Sequence, residues 1–523
     1  MSTQTKKEFD FSEKIGLDYL RSRSPTAYIP KEALAEAHRD NAEDIAKLGS
    51  KGLRWPTYSE SNTTLAANLA YSFIKDLERE EDFSKYKRYP IKRWGFLTET
   101  NSDGGIPDLE YAFGVVTSRL LQEDEAKYRP IVESTIRKTW IIPITFNCGS
   151  GGLMYNVFLP AIACEMDGSA AFISVDTSAY DKNYSGKNAY RTVGSNATLG
   201  TLTPESDLMF IDRKASATYH INEFGFTKFL NKHIPKTNPI SQITYDYIGI
   251  KTYIQLEAKY NLKDIEFGCI HTPFVEQPKT YFTLPYVHIT DQYNPEEMKA
   301  ITLRIGQKDL GGYKHFAEML DDKFTKINRN GENITDQKIM ESITNDPQIG
   351  GHLAWLKKVR KQPEFEAYLE KLHVNEALKN NEERGNSYAD ATFDVIGGLL
   401  EHGTIRQGMK GLTGFFGSGG VWSLYGSQIA SEPKDFRKNK LFIDHNSRVE
   451  LTSTQYLWLY NELLLDEGKR TTTGEDLIEK DRKFLNVDKL TQGFHIRKRF
   501  ADGTGEWVFV DEDGKEMNVP RRY

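Results

Sequence analysis

The stretch Thr139-Trp-Ile-Ile-Pro-Ile-Thr-Phe-Asn-Cys148-Gly-Ser-Gly-Gly-Leu-Met154 joins an apolar run to a cysteine and then to small residues. The apolar run predicts a buried strand and the segment Leu153–Ala163 predicts a helix, so Cys148 falls at a strand-to-helix turn. Small residues let a ligand carbonyl approach the thiol, and backbone N–H groups stay free at a helix start. Such a helix start also favours the reactive thiolate. The stretch therefore predicts a nucleophilic cysteine, with a buried structural cysteine as the alternative.

Composition narrows the class of protein. The chain has 523 residues, 38% of them hydrophobic, with a formal net charge of −6 and three cysteines. This length allows two to four domains or one large duplicated domain, and the net negative charge argues against nucleic acid as a partner. Three cysteines do not suggest a disulfide framework and fit a reducing compartment. The first ten residues lack the apolar core of a signal peptide, and no run approaches the ~18–20 apolar residues of a membrane span. We expect a cytoplasmic protein with no membrane partner.

Predicted strands and helices alternate along the chain. The strands fall at Ile15–Leu20, Arg93–Thr98, Ala170–Asp176, Ile265–Ile270 and Lys410–Phe416. The helices fall at Ala27–Leu48, Asn62–Arg79, Ile106–Leu121, Asp124–Arg137, Tyr245–Tyr260 and Ala389–Glu401. Apolar strands alternating with helices predict an α/β protein whose sheet is buried on both faces.

The order of these elements predicts two related halves. In both halves a strand, a helix and a second strand lead to a polar residue at the end of a strand. The predicted boundaries are 14–190 for the first half and 191–445 for the second. The polar, charged region 286–383 predicts a largely helical insertion in the second half, with surface helices at Pro295–Leu303, Tyr313–Asn328 and Asp336–Glu341. Residues 446–523 form an extension that we expect to pack on the second half, and Asp502-Gly and Asp513-Gly there predict hairpin turns.

Reactive groups follow several predicted strands. Glu99, Cys148, His271 and the turn Gly417-Ser418-Gly419 all stand at strand ends. In open α/β sheets, functional groups gather at the carboxyl ends of strands. A thiolate can take an acyl group, an imidazole can hold a carbonyl oxygen, and a carboxylate can remove a proton from an acidified carbon. A glycine turn can stabilise an oxyanion, so the set predicts acyl-transfer chemistry.

Five short motifs, in order along the chain, resemble those of the hydroxymethylglutaryl-CoA synthases of the thiolase superfamily. The motifs are Leu97-Thr-Glu-Thr, Asn147-Cys148, Cys269-Ile-His-Thr-Pro-Phe, Gly385-Asn-Ser-Tyr and Phe415-Phe-Gly-Ser-Gly. The resemblance extends from about residue 14 to 510. It implies a thiolase-like fold, with the two halves in a layered α-β-α-β-α arrangement.

The resemblance also implies residue roles. Cys148 would carry an acetyl group from acetyl-CoA, and Glu99 would remove a proton from its methyl group. The resulting carbon would attack acetoacetyl-CoA, positioned by His271 and Asn386, to give 3-hydroxy-3-methylglutaryl-CoA for the mevalonate pathway. The remaining substrate-binding candidates are Tyr180, Lys279, Gly417, Ser418 and Gly419. The resemblance implies a homodimer that needs no cofactor besides its acyl-CoA substrates. No His/Cys/carboxylate cluster has metal-ligand spacing.

Structural alternatives stand beside these roles. Glu99 could cap the following helix, and His271 could be an ordinary loop histidine. Asn386 could be a turn residue, because Gly-Asn is a common turn pair, and Tyr180 could serve packing alone. The glycines could serve strand-to-helix packing.

The chain departs from the family at several positions. Glu276 stands where the family has a lysine near the CoA phosphates, and Lys279 is the nearest cation. Pro239-Ile-Ser-Gln-Ile lacks the family's aspartate, Phe416 replaces a tyrosine, and Asp124–Lys138 lengthens the spacing between Glu99 and Cys148. The carboxylate of Glu276 would repel the pyrophosphate of CoA. Two alternatives to a CoA-dependent synthase therefore remain open. One is a synthase of polyketide β-branching whose acceptor is bound to an acyl-carrier protein, and the other is a non-catalytic protein on the same scaffold.

Overall fold

The computed structural model describes most of the chain. The described residues are 6–78, 80–98, 106–165, 168–176, 191–192, 194–220, 239–306, 318–320, 322, 345–417, 420–444, 448–463, 475–500 and 505–520.

Sixteen strands are present in this part of the chain. They are β1 Gly16–Arg23, β2 Ala27–Pro30, β3 Gly52–Trp55, β4 Ile91–Thr98, β5 Trp140–Thr145, β6 Ser169–Asp176, β7 Asn196–Thr203, β8 Met209–His220, β9 Phe267–Ile270, β10 Lys410–Gly417, β11 Val421–Ile429, β12 Leu441–Ile443, β13 Val449–Glu450, β14 Gly493–Arg499, β15 Gly505–Val510 and β16 Glu516–Val519.

The α-helices lie between these strands. They are α1 Lys31–His38, α2 Ala42–Ala46, α3 Asn62–Asp76, α4 Glu80–Arg88, α5 Ile106–Val132, α6 Ser150–Glu165, α7 Pro239–Glu257, α8 Glu276–Tyr293, α9 Pro295–Ile305, α10 Pro347–Val359, α11 Pro363–Lys371, α12 Val374–Ala377, α13 Asn381–Arg384, α14 Ala391–His402, α15 Pro433–Phe436, α16 Ser453–Leu463 and α17 Leu477–Leu485. The start of α3 shows a local sequence cause, because Ser61 and Thr64 form a reciprocal capping box.

The strand order repeats itself in the two halves. The main sheet runs β5-β4-β6-β7-β1 in the first half and continues as β8-β11-β10-β9 in the second. Each half has a parallel pair, β4/β6 and β9/β10, followed by antiparallel neighbours. The halves join where β1 pairs with β8, at Gly16↔Phe210 and Leu17↔Met209. This order agrees with the predicted α/β class built from two related halves.

Helices form a layer between the strands of the two halves. Helix α6 contacts strands of both halves, and so does α14. From α6, the Tyr155 ring packs on Phe393 of α14 and on Phe415 and Tyr425 of the second half. Helices α3 and α5 pack on first-half strands, whereas α7 packs on β8 and β11. Helices therefore lie on the outside and in the middle of the layered body, as the resemblance implies.

Two sequence predictions are wrong here. Residues Ala27–Pro30 form a strand, because they pair with β3 and β13, and only after Pro30 do the short helices α1 and α2 begin. The C-terminal extension packs on the first half, not the second. Its β14 contacts α3, the Trp507 ring packs on Tyr111, and Asp481 accepts hydrogen bonds from the loop at Tyr58.

The described part of the insertion is mostly helical. Helices α9 to α13 occupy much of 286–383, and the predicted helix at Pro295–Leu303 is confirmed as α9. The predicted helices at Tyr313–Asn328 and Asp336–Glu341 lie largely outside the described residues. Within α5, Asp124 has non-helical dihedral angles, with φ of −160° and ψ of 98°. The helix therefore consists of two helical segments joined by a kink, and the kink lies at the break predicted between Leu121 and Asp124.

Candidate active site

Cys148 lies in a single 3-10 turn, Asn147–Gly149, between β5 and α6, and its side chain is buried. The turn is fixed by Ser150, the first residue of α6. Its Oγ accepts a hydrogen bond from the Phe146 N–H at 2.9 Å and donates one to the Thr98 carbonyl oxygen at 3.2 Å. Thr98 is the last residue of β4. Ser150 therefore holds the end of the strand that precedes Glu99 beside the cysteine turn.

The small residues after Cys148 allow α6 to pack closely on β10. A Cβ added at Gly149 would lie 3.1 Å from the Gly417 Cα, and one at Gly151 would lie 2.4 Å from the Phe415 ring. A methyl group at Gly151 would therefore clash with a buried aromatic ring. These glycines therefore bring the Cys148 turn against Gly417. Their role in admitting a ligand carbonyl stays a prediction.

His271 follows β9 directly, and its backbone N–H donates to the Gly414 carbonyl oxygen of β10 at 2.9 Å. The imidazole is buried, and neither ring nitrogen has a hydrogen-bond partner among the described residues. Burial lowers the pKa of His271 to about 3, so the ring is neutral at pH 7, with one donor and one acceptor nitrogen. Buried polar groups are nearly always hydrogen-bonded, so two buried nitrogens without a partner among the described residues need an explanation. A polar ligand bound beside the imidazole would supply the partner.

Tyr245 of α7 supports His271 from behind. Its hydroxyl donates to the His271 carbonyl oxygen at 2.5 Å, and its ring packs on Phe416 and Trp422. The His271 ring lies 6.0 Å from the Phe416 ring, centroid to centroid. Tyr245 was not predicted as a site residue, because no sequence signal distinguishes a positioning tyrosine from a packing tyrosine within a predicted helix.

Asn386 stands in a tight turn that the structure explains in backbone terms. Its N–H donates to the Thr192 carbonyl oxygen at 2.6 Å, and its side-chain Oδ1 accepts from the Tyr388 N–H at 2.9 Å. Gly385 has φ of +75°, which glycine adopts without strain. Since Oδ1 is used by the turn, Nδ2 is the atom of Asn386 that could donate to a substrate. The turn alternative is thus part of the explanation for this residue.

Lys279 and Glu276 form an ion pair, with Nζ 2.8 Å from Oε1. Glu276 begins α8, and the positive end of the helix dipole favours a carboxylate there. The pairing reduces the repulsion that this carboxylate would exert on a phosphate.

The remaining candidates Glu99, Tyr180, Ser418 and Gly419 lie outside the described residues, so their roles stay predictions. What the structure brings together is the Cys148 turn, the Gly417 turn and the end of β9 that carries His271, since β9 and β10 are parallel neighbours. A thiol, a neutral imidazole and a glycine turn at the ends of strands from both halves suit covalent acyl transfer.

The described residues contain no group of three or more His, Cys, Asp or Glu side chains that could hold a metal ion. Within the same ranges, no helix has the length and apolar character needed to cross a membrane.

No protein-family model matches the chain, and no curated protein matches its sequence. Solved structures do match. The HMG synthase of the curacin biosynthetic pathway, in complex with acetyl donor-ACP, aligns over 95% of this chain and 100% of its own with a TM-score of 0.66 and 14% identity. MvaS in complex with 3-hydroxy-3-methylglutaryl coenzyme A aligns over 95% and 99% with a TM-score of 0.62 and 14% identity. PksG, an HMG-CoA synthase from Bacillus subtilis, aligns over 95% and 99% with a TM-score of 0.63 and 13% identity.

These alignments cover nearly the whole of both chains. The chain therefore has the thiolase-like fold of the HMG-CoA synthases, which confirms the predicted fold. At such low identity the likeness concerns the fold, and the reaction must be argued from the site.

Proposed function

We propose that the chain is an acyltransferase that joins an acetyl and an acetoacetyl thioester, as hydroxymethylglutaryl-CoA synthases do. One observation carries the proposal. The turn that holds the buried Cys148 packs against Gly417 of β10. The neighbouring strand β9 leads directly to His271, whose neutral imidazole has no hydrogen-bond partner among the described residues. The fold shared with HMG-CoA synthases supports it.

The proposed reaction has three steps. The Cys148 thiolate attacks the acetyl thioester and the carrier thiol leaves, so that an acetyl-Cys148 thioester forms. Glu99 takes a proton from the acetyl methyl, the carbon attacks the C3 ketone of the acetoacetyl group, and the new alkoxide receives the proton. Water then hydrolyses the Cys148 thioester, which releases the product as a carboxylate and regenerates the thiol.

His271 and Asn386 act on the acceptor in this scheme. A neutral imidazole donates a hydrogen bond to the ketone oxygen, and the hydrogen bond strengthens as negative charge develops there. The Nδ2 group of Asn386 donates to the thioester carbonyl. Tyr180 and the turn Gly417–Gly419 shape the pocket. No cofactor is needed besides the thioester substrates, and we propose a cytoplasmic location.

We propose acetoacetyl-CoA as the acceptor and mevalonate synthesis as the context. The ion pair between Lys279 and Glu276 supports this choice, because it offsets the carboxylate that would repel CoA. A second candidate acceptor is an acetoacetyl group on an acyl-carrier protein, as in polyketide β-branching. Glu276 in the first turn of α8, where the family has a lysine, favours this candidate.

We also propose that two copies of the chain associate through β5 and α6. β5 is the end strand of the main sheet, and its Trp140 is 77% exposed. Leu153 and Val157 of α6 and Phe146 are exposed beside it. An exposed apolar end strand is a template for pairing, and a two-fold axis would let β5 of each copy cover the other. Val157→Asp should give monomers in light scattering. The control Leu303→Asp, at an equally apolar but separate exposed site, should leave the dimer intact.

The decisive experiment follows the acetyl group. Incubation with acetyl-CoA should add one acetyl group to the protein by intact mass, and Cys148→Ala should prevent the addition. Acetoacetyl-CoA should then release the adduct with turnover. No adduct with any donor would exclude the enzymatic proposal in favour of a non-catalytic scaffold protein. Release only by a carrier-bound acceptor would select the second candidate, and unchanged turnover in Glu99→Ala would exclude that residue as the base.

A further inference from the structure

The turn that carries Asn386 is held by the end of β6 and by the segment that leads into β7. We call residues 385–390 the Asn386 turn. The Asn386 carbonyl oxygen accepts a hydrogen bond from the Gly194 N–H at 3.0 Å. The Ala389 N–H donates to Oδ2 of Asp176, the last residue of β6, at 3.0 Å. Two adjacent strands of the first half therefore fix the backbone of a turn that belongs to the second half.

A contact between side chains closes the same turn at its far end. Nδ2 of Asn196, the first residue of β7, donates to Oδ2 of Asp390 at 2.6 Å. The Ser24 hydroxyl donates to Oδ1 of Asn196 at 2.8 Å, so both ends of this amide are bound. All three side chains are buried. We call Ser24, Asn196 and Asp390 the turn clamp.

The Asn386 turn has a backbone conformation that depends on such support. Tyr388 has φ of +49°, in the left-handed region that residues with large side chains rarely adopt. Strained conformations persist only where the surrounding contacts hold them, and they concentrate at functional sites. Asp390 lies two residues after Tyr388, and Asn386 lies two residues before it. We therefore expect a change at Tyr388, after loss of the clamp, to displace Asn386.

The carboxyl group of Asp390 is suited to a structural hydrogen bond. Burial, and then the charge of Asp394, raise the pKa of Asp390 well above its usual range, which favours the neutral carboxyl. The neighbouring Arg384 forms its ion pair with Asp394. A neutral carboxyl that accepts a hydrogen bond from an amide has the size and shape of an asparagine side chain. Asparagine is therefore the conservative replacement for Asp390.

We propose that the turn clamp directs Nδ2 of Asn386 at the thioester carbonyl of the acceptor, so that Asn196 and Asp390 are positioning residues for condensation. The inference rests on the proposed function, in which Asn386 binds the acceptor. Oδ1 of Asn386 is held by the Tyr388 N–H, so the direction of Nδ2 follows the conformation of the turn. A misdirected donor loses its bond, because hydrogen bonds weaken steeply with angle. Acetylation of Cys148 does not use Asn386 and should not depend on the clamp.

Kinetics of the two steps test the clamp in the full chain. Asp390→Ala should lower kcat/KM for acetoacetyl-CoA about tenfold, mainly through KM, and leave the rate of Cys148 acetylation within about twofold. Asp390→Asn, which keeps the acceptor oxygen, should restore nearly wild-type values. Asn196→Ala should match Asp390→Ala, and Ser24→Ala, which removes one hydroxyl, should give a smaller loss in the same direction. The control Asp212→Ala, at a buried aspartate bound to backbone N–H groups of β8, should leave the acceptor KM unchanged.

A double-variant cycle separates positioning from a general loss of structure. In a chain that carries Asn386→Ala, adding Asp390→Ala should cost less than about a further twofold, because no amide is left to direct. A further tenfold loss in that chain would overturn the proposal. So would an equal loss in Asp390→Asn and Asp390→Ala, or wild-type acceptor kinetics in the clamp variants.

Hydrogen exchange measures the clamp without turnover. The amides of residues 388–390 should exchange at least about tenfold faster in Asp390→Ala than in the wild type or in Asp212→Ala. An acetylated wild-type chain whose clamp variants exchange and turn over like Asp212→Ala would reject the clamp alone. A wild-type chain that forms no acetyl adduct on Cys148 would reject the proposed function, and with it the role of the clamp in condensation.

Discussion

Two buried cysteines in this molecule have different surroundings. Cys148 lies in the turn between β5 and α6, against the backbone of Gly417. Cys269 lies inside β9, paired with Thr413 of β10, and belongs to the buried hydrophobic core. Burial raises the pKa of the Cys269 thiol well above its ordinary value. We therefore expect the thiol at the strand end, Cys148, to be reactive and the thiol inside the strand, Cys269, to be inert.

Substituting each cysteine tests this comparison with the largest expected effect. Cys148→Ala should reduce turnover of acetyl-CoA and acetoacetyl-CoA by at least about a thousandfold, because the covalent intermediate cannot form. Cys269→Ala should leave turnover within about threefold, since its thiol has no chemical role. Release of the coenzyme A thiol measures both. Equal losses in the two variants would remove the distinction.

His271 stands two residues after Cys269, just past the end of the same strand. His271→Asn should lower condensation about a hundredfold, because the acceptor ketone loses its polarising donor. Acetylation of Cys148, which precedes acceptor binding, should continue at close to the wild-type rate. The control His38→Asn, at a hydrogen bond between α1 and Tyr456, should affect neither step. Loss of acetylation in His271→Asn would place the imidazole in the first step instead.

The stability of the strand interior offers a complementary test. Cys269→Ser should lower the free energy of unfolding by about 1–3 kcal/mol, because it buries a hydroxyl in an apolar site. Cys148→Ser should lower it by less, since a strand-end turn presents backbone groups that can partner a hydroxyl. Urea unfolding of the two variants measures the difference. A larger loss at Cys148 would contradict the assignment of the two environments.

Ser150 links the cysteine turn to the end of β4. Ser150→Ala should reduce the rate of Cys148 acetylation about tenfold, because small displacements of reacting groups are costly. The Michaelis constant for acetyl-CoA should change little, which distinguishes positioning from a general loss of structure. Ser427→Ala, which removes a similarly buried serine hydroxyl bonded to Thr413, is the matched control. An equal rate loss in the control would assign the effect to stability alone.

The smallest effect concerns pH. Burial lowers the pKa of His271 from 6.5 to about 3 in the folded chain, so below pH 6.5 the unfolded chain binds the proton more readily. Protonation of His271 in the unfolded chain therefore does not affect the free energy of unfolding well above pH 6.5, and it lowers that free energy progressively as the pH falls from 6.5 towards 3. At pH 5.5 it should destabilise the wild type by about 1 kcal/mol relative to pH 7.5. His271→Asn should show a shallower decline of the unfolding free energy between these pH values, and an unchanged slope would contradict a neutral buried imidazole.

Strands and helices with strong apolar periodicity were predictable from the sequence. β4, β6 and α3 follow directly from their runs, and every residue of β6 is buried. Strands β7 and β8 were not predicted. Asn-Ala-Thr-Leu-Gly-Thr-Leu-Thr of β7 has little hydrophobic signal, yet it is wholly buried because strands and helices of both halves cover it. Such strands are defined by their tertiary neighbours.

The site was partly predictable for a similar reason. Cys148 and His271 could be located because each follows an apolar strand. Ser150 and Tyr245 could not, since their roles depend on contacts with Thr98 and with the His271 carbonyl across the fold. The packing of the C-terminal extension on the first half depends likewise on contacts remote in sequence, such as Asp481 with the Tyr58 backbone.

Peptide mapping after incubation with acetyl-CoA tests the central claim most directly. Tryptic cleavage places Cys148 in the peptide 139–182 and Cys269 in the peptide 264–279, and fragmentation separates Cys148 from Cys164 within the first. We predict a single acetyl group on Cys148 and none on Cys269. Acetylation of Cys269, or an unmodified Cys148 in a folded protein at saturating acetyl-CoA, would contradict the account.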